Sequence, residues 1–118
     1  MSKGQAGRPQ VFSAQCPYFN RTAILYLDTW RYKILPHHPE VKSCVRFIEE
    51  TIVAMNKSSM VYRKLKEPES IAVFKECHLL APLYRYMKIA LRLIDNRIAV
   101  ITTAHGLNNA PSKGMEKI

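Results

Sequence analysis

Acidic residues, cysteines and long apolar runs are all scarce in this sequence of 118 residues. Nine Asp and Glu stand against eighteen Lys and Arg, which gives a formal net charge of +9. A charge of this sign favours phosphate-bearing partners. No run approaches the roughly 18 apolar residues of a membrane span, and the N-terminus lacks the apolar stretch of a signal peptide. We therefore expect a cytoplasmic protein with no membrane partner.

The three cysteines, Cys16, Cys44 and Cys77, form no CxxC pair and cannot all pair with one another. This predicts reduced thiols rather than a disulfide framework. Cys77 adjoins His78, but a recognisable metal site needs two such pairs. We therefore expect no metal and no other cofactor, and we expect Cys44 to be a small buried hydrophobe on a helix.

The most informative stretch, 83–103, alternates on both sides of Asp95-Asn96 and predicts a β-hairpin with a two-residue turn. In that register Leu93 lies opposite Ile98 and Leu91 lies opposite Val100, on an apolar face. The other face collects polar residues from both strands: Lys88, Arg92, Thr103, Tyr84, Tyr86 and, if the pairing extends that far, His105. Such a face is either an ordinary solvated side of a sheet or a site for an anionic ligand.

The remaining elements complete an α+β prediction for a chain long enough for one domain. Residues 1–20 have no sustained periodicity and predict a mobile N-terminal arm, followed by a single domain over 21–118. A strand is expected over 22–27. The other predicted elements are a short helix from Asp28 to Leu35, ended by Pro36, a long helix from Pro39 to Met55, strands over 60–65 and 71–75, and an irregular segment after residue 105. The expected fold is an N-terminal strand and two helices packed on a four-stranded antiparallel sheet.

Two groups of residues are candidates for chemistry. The first is His37 and His38, because histidine titrates near neutral pH. Adjacent histidines point different ways, so at most one of them is expected to act. The plain alternative is a pair of histidines in a polar loop. In the second group, Arg92 and Lys88 would hold a phosphate and Thr103 or Tyr86 would position it. Tyr84 and Tyr86 could stack on exposed bases.

Five short motifs occur in this order along the chain: Trp30 in a short helix, His38-Pro39-Glu40, Val61-Tyr62-Arg63, Ile101-Thr102-Thr103-Ala104 and Lys113-Gly114. Their order and spacing resemble those of the phage branch of the barnase, EndoU, colicin and RelE-like nuclease superfamily. The resemblance implies a small α+β domain that cleaves RNA without a metal. It implies site residues at His38, Glu40 and Thr102 or Thr103. Tyr32 stands where relatives often carry a histidine, and His37 or His105 would have to substitute for it.

The leading hypothesis is a metal-independent endoribonuclease of phage or toxin type, with His38 as general acid or base. Its expected partners are RNA, such as tRNA or another structured RNA, and an acidic antitoxin or inhibitor protein. Two alternatives remain open: a nucleic-acid-binding module without catalysis, and a phage interaction protein whose charged face meets an acidic protein.

Overall fold

The computed structural model describes residues 8–109 and 114–118. Two helical elements lie between the second and third strands. The first, α1, is continuous over 27–37, and the second, α2, is Val45–Val53; single 3-10 turns are Pro17–Phe19, Pro39–Val41 and His78–Leu80. The strands are β1 Gln10–Cys16, β2 Arg21–Tyr26, β3 Met60–Lys64, β4 Ser70–Glu76, β5 Tyr86–Leu93, β6 Ile98–Leu107 and β7 Met115–Lys117.

All seven strands form one mixed sheet in the order β1-β2-β6-β5-β4-β3-β7. Strands β3 to β6 are an antiparallel meander, as expected, but β2 adds to β6 in parallel and β1 adds to β2. The predicted four-stranded sheet with two packed helices is therefore wrong. The expected N-terminal strand belongs to the sheet itself, and each edge carries one strand that the sequence patterns did not reveal.

Strand β1 lies inside the stretch that was expected to be a mobile arm. Its residues alternate, with Phe12, Ala14 and Cys16 buried and Ser13 and Gln15 exposed. This period of two is what a strand with one buried face requires. The alternation rests on only three buried apolar residues, and the polar Ser and Gln residues between them made the segment read as an unstructured arm. The remainder of the predicted arm, residues 1–7, lies outside the described residues.

The first helical segment continues past Pro36, where we expected it to end. Proline cannot donate a backbone hydrogen bond, and its ring clashes with the carbonyl four residues earlier. The helix widens into a π turn over Trp30–Ile34, in which the Leu35 N–H donates to the Trp30 carbonyl five residues back. This wider turn makes room for the ring, as π bulges do in other helices. The segment then ends at His37.

The predicted helix from Pro39 to Met55 is also wrong at its start. Pro39–Val41 forms a single 3-10 turn, and the α-helix begins at Val45, with Cys44 at its N-cap position. His38 therefore precedes a short turn rather than a long helix. The apolar stripe predicted for this helix is Val41, Cys44, Val45, Ile48, Ile52 and Met55. It is buried except at Val45, which is partly exposed; the other five residues are at most 5% exposed.

The core lies between the helices and one face of the sheet. The largest fully buried side chains come from both layers and include Ile34, Ile48 and Ile52 on the helical side and Ile71, Ile89 and Ile101 on the sheet. Cys44 belongs to this core, as expected, and burial raises the pKa of its thiol to about 11.

No helix of the described residues is long and apolar enough to cross a membrane.

The hairpin of β5 and β6 forms, but in a different register from the expected one. Leu93 pairs with Ala99 and Leu91 with Ile101, and the connection spans residues 94–97 rather than two residues. The Asp95 carboxylate accepts hydrogen bonds from the backbone N–H groups of Arg97 and Ile98, at 2.7 and 2.8 Å, which stabilises this longer turn. Ala99 and Ile101 therefore face the core instead of the polar side.

A β-bulge in β6 then restores the predicted alternation. Leu91 pairs with Ile101 and Ala90 with Thr103, so Thr102 is the extra residue. Beyond it Ala104 is buried, as expected, while Thr103 and His105 share a face with Lys88.

The C-terminal segment was expected to be irregular, yet Met115–Lys117 forms β7, which pairs with β3. Residues 110–113, in the same segment, lie outside the described residues.

Candidate functional site

The candidate site lies on the second face of the sheet, which we define as the face opposite the helices. Cross-strand pairing arranges its side chains in three rows across β3, β4, β5 and β6. The middle row contains two alanines, Ala72 and Ala90, and larger residues flank it on both sides. The rows are Ser70, Arg92 and Val100; Tyr62, Ala72, Ala90 and Thr103; and Met60, Phe74, Lys88 and His105. Lys64, at the end of β3, lines the same cavity as Ser70 and Arg92.

Because the central side chains are small, the second face contains a cavity of about 320 Å³. Three cations, three hydroxyl groups and the Glu67 carboxylate are among the groups that line it, and we call the six cationic and hydroxyl residues the basic groove: Lys64, Lys88, Arg92, Ser70, Thr102 and Thr103. The bulge in β6 explains why two neighbouring threonines both reach the cavity. Regular alternation would turn one of them to the opposite face.

The cations of the basic groove differ in their partners. Arg92 lies 3.4 Å from Glu69, and Lys64 lies 3.8 Å from Glu67; these pairs are partly exposed, and such pairs contribute little to stability. Lys88 is about half-buried, and no salt bridge joins it to a described carboxylate. Residues 1–7 and 110–113 contain no Asp or Glu. Burial lowers the pKa of Lys88, and the charge of Lys64 adds to this effect.

A second group of residues adjoins the groove at the end of β6. Strand β2 pairs with β6 only as far as Val100, and within residues 8–109 and 114–118 no strand pairs with that edge of β6 beyond this point. The segments Trp30–Ile34 and Pro39–Val41 contact β6. There the Glu40 carboxylate accepts a hydrogen bond of 3.0 Å from the Gly106 backbone N–H. This bond fixes Glu40 to the sheet edge.

The anchored turn brings His38 against His105. Their rings stack with centroids 4.7 Å apart and an interplanar angle of 24°, and His38 Nδ1 lies 3.8 Å from the Glu40 carboxylate. We call His38, Glu40 and His105 the histidine cluster. Burial has the largest effect on the pKa of His105 and lowers it. The Gly106 carbonyl has the next largest effect and raises this pKa, while the nearby His38 and Lys88 lower it and Glu40 raises it. His105 is therefore held neutral, as a proton acceptor must be.

The histidine cluster and the basic groove meet at one pair of residues. Lys88 is the cross-strand partner of His105, so that their side chains are neighbours on the same face. Six of the nine residues predicted from sequence therefore lie in one continuous site: His38, Glu40, Lys88, Arg92, Thr103 and His105.

The structure places the other three predicted residues differently. Tyr86 is on the second face, beyond Lys88, with the Arg85 guanidinium 5.1 Å from its ring centre. Tyr84 packs against the core, with its ring against Gly106. The His37 Nδ1 atom lies 2.9 Å from the Lys33 carbonyl oxygen, and its ring centre is 6.4 Å from that of His38. Neither Tyr84 nor His37 faces the groove.

Two groove residues, Lys64 and Ser70, were not predicted from sequence, and Thr102 was implied by the family resemblance alone, as an alternative to Thr103. The alternation of β3 already put Tyr62 and Lys64 on one side, and a meander of consecutive strands would have placed that side beside β5. That signal was available for Lys64 and Ser70. Thr102 reaches the groove only because of the bulge, for which the sequence has no evident mark.

No group of three or more His, Cys, Asp or Glu side chains within residues 8–109 and 114–118 is arranged to hold a metal ion. No protein-family model, curated protein or solved structure matches this chain.

Proposed function

We propose that this protein is a metal-independent endoribonuclease whose active site is the histidine cluster together with Lys88. The observation that carries the proposal is the stacked pair His38 and His105, 4.7 Å apart, with Lys88 beside His105. Cleavage of RNA without a metal needs a proton acceptor, a proton donor and a cation close to one phosphate. These three groups meet here.

In the proposed reaction, His105 takes the proton of a ribose 2′-hydroxyl. The 2′ oxygen then attacks the adjacent phosphorus, and the bond from phosphorus to the 5′ oxygen breaks. His38 donates a proton to the leaving 5′ oxygen. The products are a 2′,3′-cyclic phosphate and a 5′-hydroxyl end, and the two histidines exchange protonation states in the step.

The assignment of the two histidines follows from their surroundings. His105 is half-buried beside Lys88, which favours its neutral form. The His38 side chain is 33% exposed and its Nδ1 atom lies 3.8 Å from the Glu40 carboxylate, so His38 is the member of the pair that a leaving oxygen reaches from solvent. Lys88 lies where it can stabilise the charge that builds up on the phosphorane. Arg92 and Thr103 would hold the phosphate chain farther along the groove.

The resemblance to the phage branch of the barnase, EndoU, colicin and RelE-like nucleases supports the same proposal. Two of its implied site residues, His38 and Glu40, are joined to the sheet edge beside His105. Tyr32, which stands where relatives often carry a histidine, is 68% exposed. His105 would then supply the second imidazole.

The test is incubation of the purified protein with total RNA in excess chelator, followed by analysis of the products and their end groups. We expect discrete fragments that end in cyclic phosphates. Replacement H38A should reduce cleavage by about a hundredfold or more, because one acid-base group contributes about 10²- to 10⁴-fold. The matched control is H78A, since His78 is exposed and lies in a different turn. Intact RNA with the wild-type protein, or equal losses in both variants, would contradict the proposal.

A second candidate function is nucleic-acid binding without cleavage. The exposed Tyr32 favours it, because the position that carries a histidine in many relatives holds no acid-base group here. This function predicts RNA that is retained in a salt-dependent way and recovered intact. An acidic antitoxin or inhibitor protein would compete with RNA for the same face under either proposal.

A further inference from the structure

We propose that the basic groove binds phosphates of the RNA strand next to the cleaved bond and recognises the backbone rather than the bases. This inference rests on the proposed function for the position of the cleaved bond. The groove itself is defined by its own residues, which extend away from the histidine cluster along β5.

The basic groove contains three cations, Lys64, Lys88 and Arg92, whose charges favour an anionic ligand. Lys88 is half-buried and none of the described carboxylates pairs with it; the Phe74 ring, 5.8 Å from its Nζ atom, compensates its charge only in part. A buried charge is costly unless a counter-charge or hydrogen-bonding partners accompany it. An anion in the groove would supply the missing partner. The acidic neighbours of Lys64 and Arg92 are exposed pairs that a phosphate can replace at little cost.

The second argument is the chemistry of the lining. Arginine offers a planar fork that matches phosphate oxygens, and lysine offers a point charge. The hydroxyl groups of Ser70, Thr102 and Thr103 can donate further hydrogen bonds to the same oxygens. No aromatic ring is among the described residues that line this cavity. Stacking on bases, which single-strand binders commonly use, is therefore not what this cavity offers.

The third argument is the length of the groove. Lys88 and Arg92 are four residues apart on β5, which corresponds to about 13 Å at the usual rise of a strand. This is the distance between the two backbone positions, from which both long side chains reach into the same cavity. A chain of phosphates fits it, beginning beside His105 and continuing toward Arg92. A strand whose reacting phosphate lies beside His105 would place its next phosphates toward Arg92, so the ligand class that we infer is an oligonucleotide.

The experiment measures binding of fluorescent 2′-O-methyl oligouridylate and oligoadenylate by anisotropy over a range of salt concentrations. These probes lack the free 2′-hydroxyl and cannot be cleaved, so binding is observed independently of catalysis. The variants are R92Q and K64Q. The matched control is R46Q, which removes one positive charge from the exposed side of α2.

We expect R92Q and K64Q each to weaken binding by about tenfold. Each should also reduce the slope of log affinity against log salt by about 0.7, the value for one phosphate contact on a single strand. R46Q should change affinity by less than about twofold, because its charge is distant and screened. The two oligonucleotides should bind within about threefold of each other, since phosphate contacts carry no base information.

Equal effects of R92Q and R46Q would overturn the inference, as would a strong preference for one base. Competition by a polyglutamate peptide as effective as competition by the oligonucleotide would also overturn it, in favour of an acidic protein partner. The two proposals fail differently. If H38A cleaves RNA like the wild type while R92Q loses binding, the proposed function is wrong and the groove stands. If R92Q binds and cleaves like the wild type, the groove inference alone is wrong.

Discussion

The two faces of β5 show how one strand serves two different purposes. Met87, Ile89 and Leu91 are at most 2% exposed and pack against the helices. Lys88 and Arg92 alternate with them and line the basic groove. Since neighbouring residues point to opposite sides, a substitution one position away should move from a stability effect to a binding effect. The comparison separates the residues that hold the fold from the residues that we propose to act on RNA.

The largest expected effect is on the helix-covered face. Ile89 is fully buried, so I89A should lower the free energy of unfolding by about 2 to 5 kcal/mol, through lost apolar burial and the cavity left behind. The measurement is denaturant unfolding. The paired variant R92A, on the second face, should lower it by less than about 0.5 kcal/mol, because its ion pair is partly exposed. A larger loss in R92A than in I89A would contradict the division of the faces.

The next largest effect on stability is expected at Gly106, the residue of β6 whose N–H donates to Glu40 and whose Cα lies against the Tyr84 ring. A Cβ at this position would lie 2.5 Å from Tyr84 Cδ2, so G106A should force the tyrosine ring to move. We expect a loss of about 1 to 3 kcal/mol in thermal or denaturant unfolding, as for other overpacked sites.

The partner variant Y84A removes the ring and tests the cause. In a double-mutant cycle, G106A should cost much less in the Y84A background than in the wild type. Additive losses would show that the ring contact is not responsible.

A smaller effect on stability is expected at Glu40, whose carboxylate attaches the histidine cluster to the Gly106 N–H of β6. E40Q replaces a charged acceptor with a neutral one and weakens the bond from Gly106 N–H, at a cost of about 1 kcal/mol in the free energy of unfolding. Cleavage of RNA should fall as well, because His38 loses its orienting carboxylate. The control E50Q changes an exposed helix residue and should alter neither quantity appreciably.

The smallest effect is a pH dependence of stability from His105. Its pKa is lowered in the folded protein from the ordinary value of 6.5, so the unfolded chain binds the proton more readily. The stabilisation is present above pH 6.5 and is lost as the pH falls through the lowered folded value. The groups that face this ring are His38, Lys88 and Glu40.

Unfolding measured between pH 7.5 and about 5 should therefore show falling stability, and H105Q should flatten the dependence. An unchanged slope in H105Q would contradict the proposed burial of a neutral histidine.

The sequence predicted the local alternation of the strands better than their pairing. Lys88 and Arg92 were assigned to the correct face because period two within β5 is a local property. The register with β6 was wrong, because a four-residue connection and a bulge at Thr102 depend on how the two strands fit together. The predicted positions of Thr103 and His105 on the second face were nevertheless correct, because the bulge shifts the register by one residue before Thr103.

In the helical region and at the N-terminal strand, too, the sequence predicted local patterns but not the features that depend on the tertiary fold. The buried stripe of α2 was correct, but its start was displaced to Val45, because Pro39 opens only a single 3-10 turn. Strand β1 has only three buried positions, and its parallel attachment through β2 to β6 arises from the tertiary fold. The contact of His38 with His105 likewise depends on this arrangement. It joins residues 67 positions apart, which no local pattern reveals.

The most direct test of the account is to map where RNA contacts the protein by NMR, with a non-cleavable 2′-O-methyl oligonucleotide. The account predicts chemical-shift changes at Lys88, Arg92, Thr103 and His105, and at His38 on the adjoining turn. It also predicts that the amides of α2, on the opposite side of the sheet, remain unchanged. Changes concentrated on α2, or their absence from β5 and the end of β6, would contradict the claim that the second face is the RNA site.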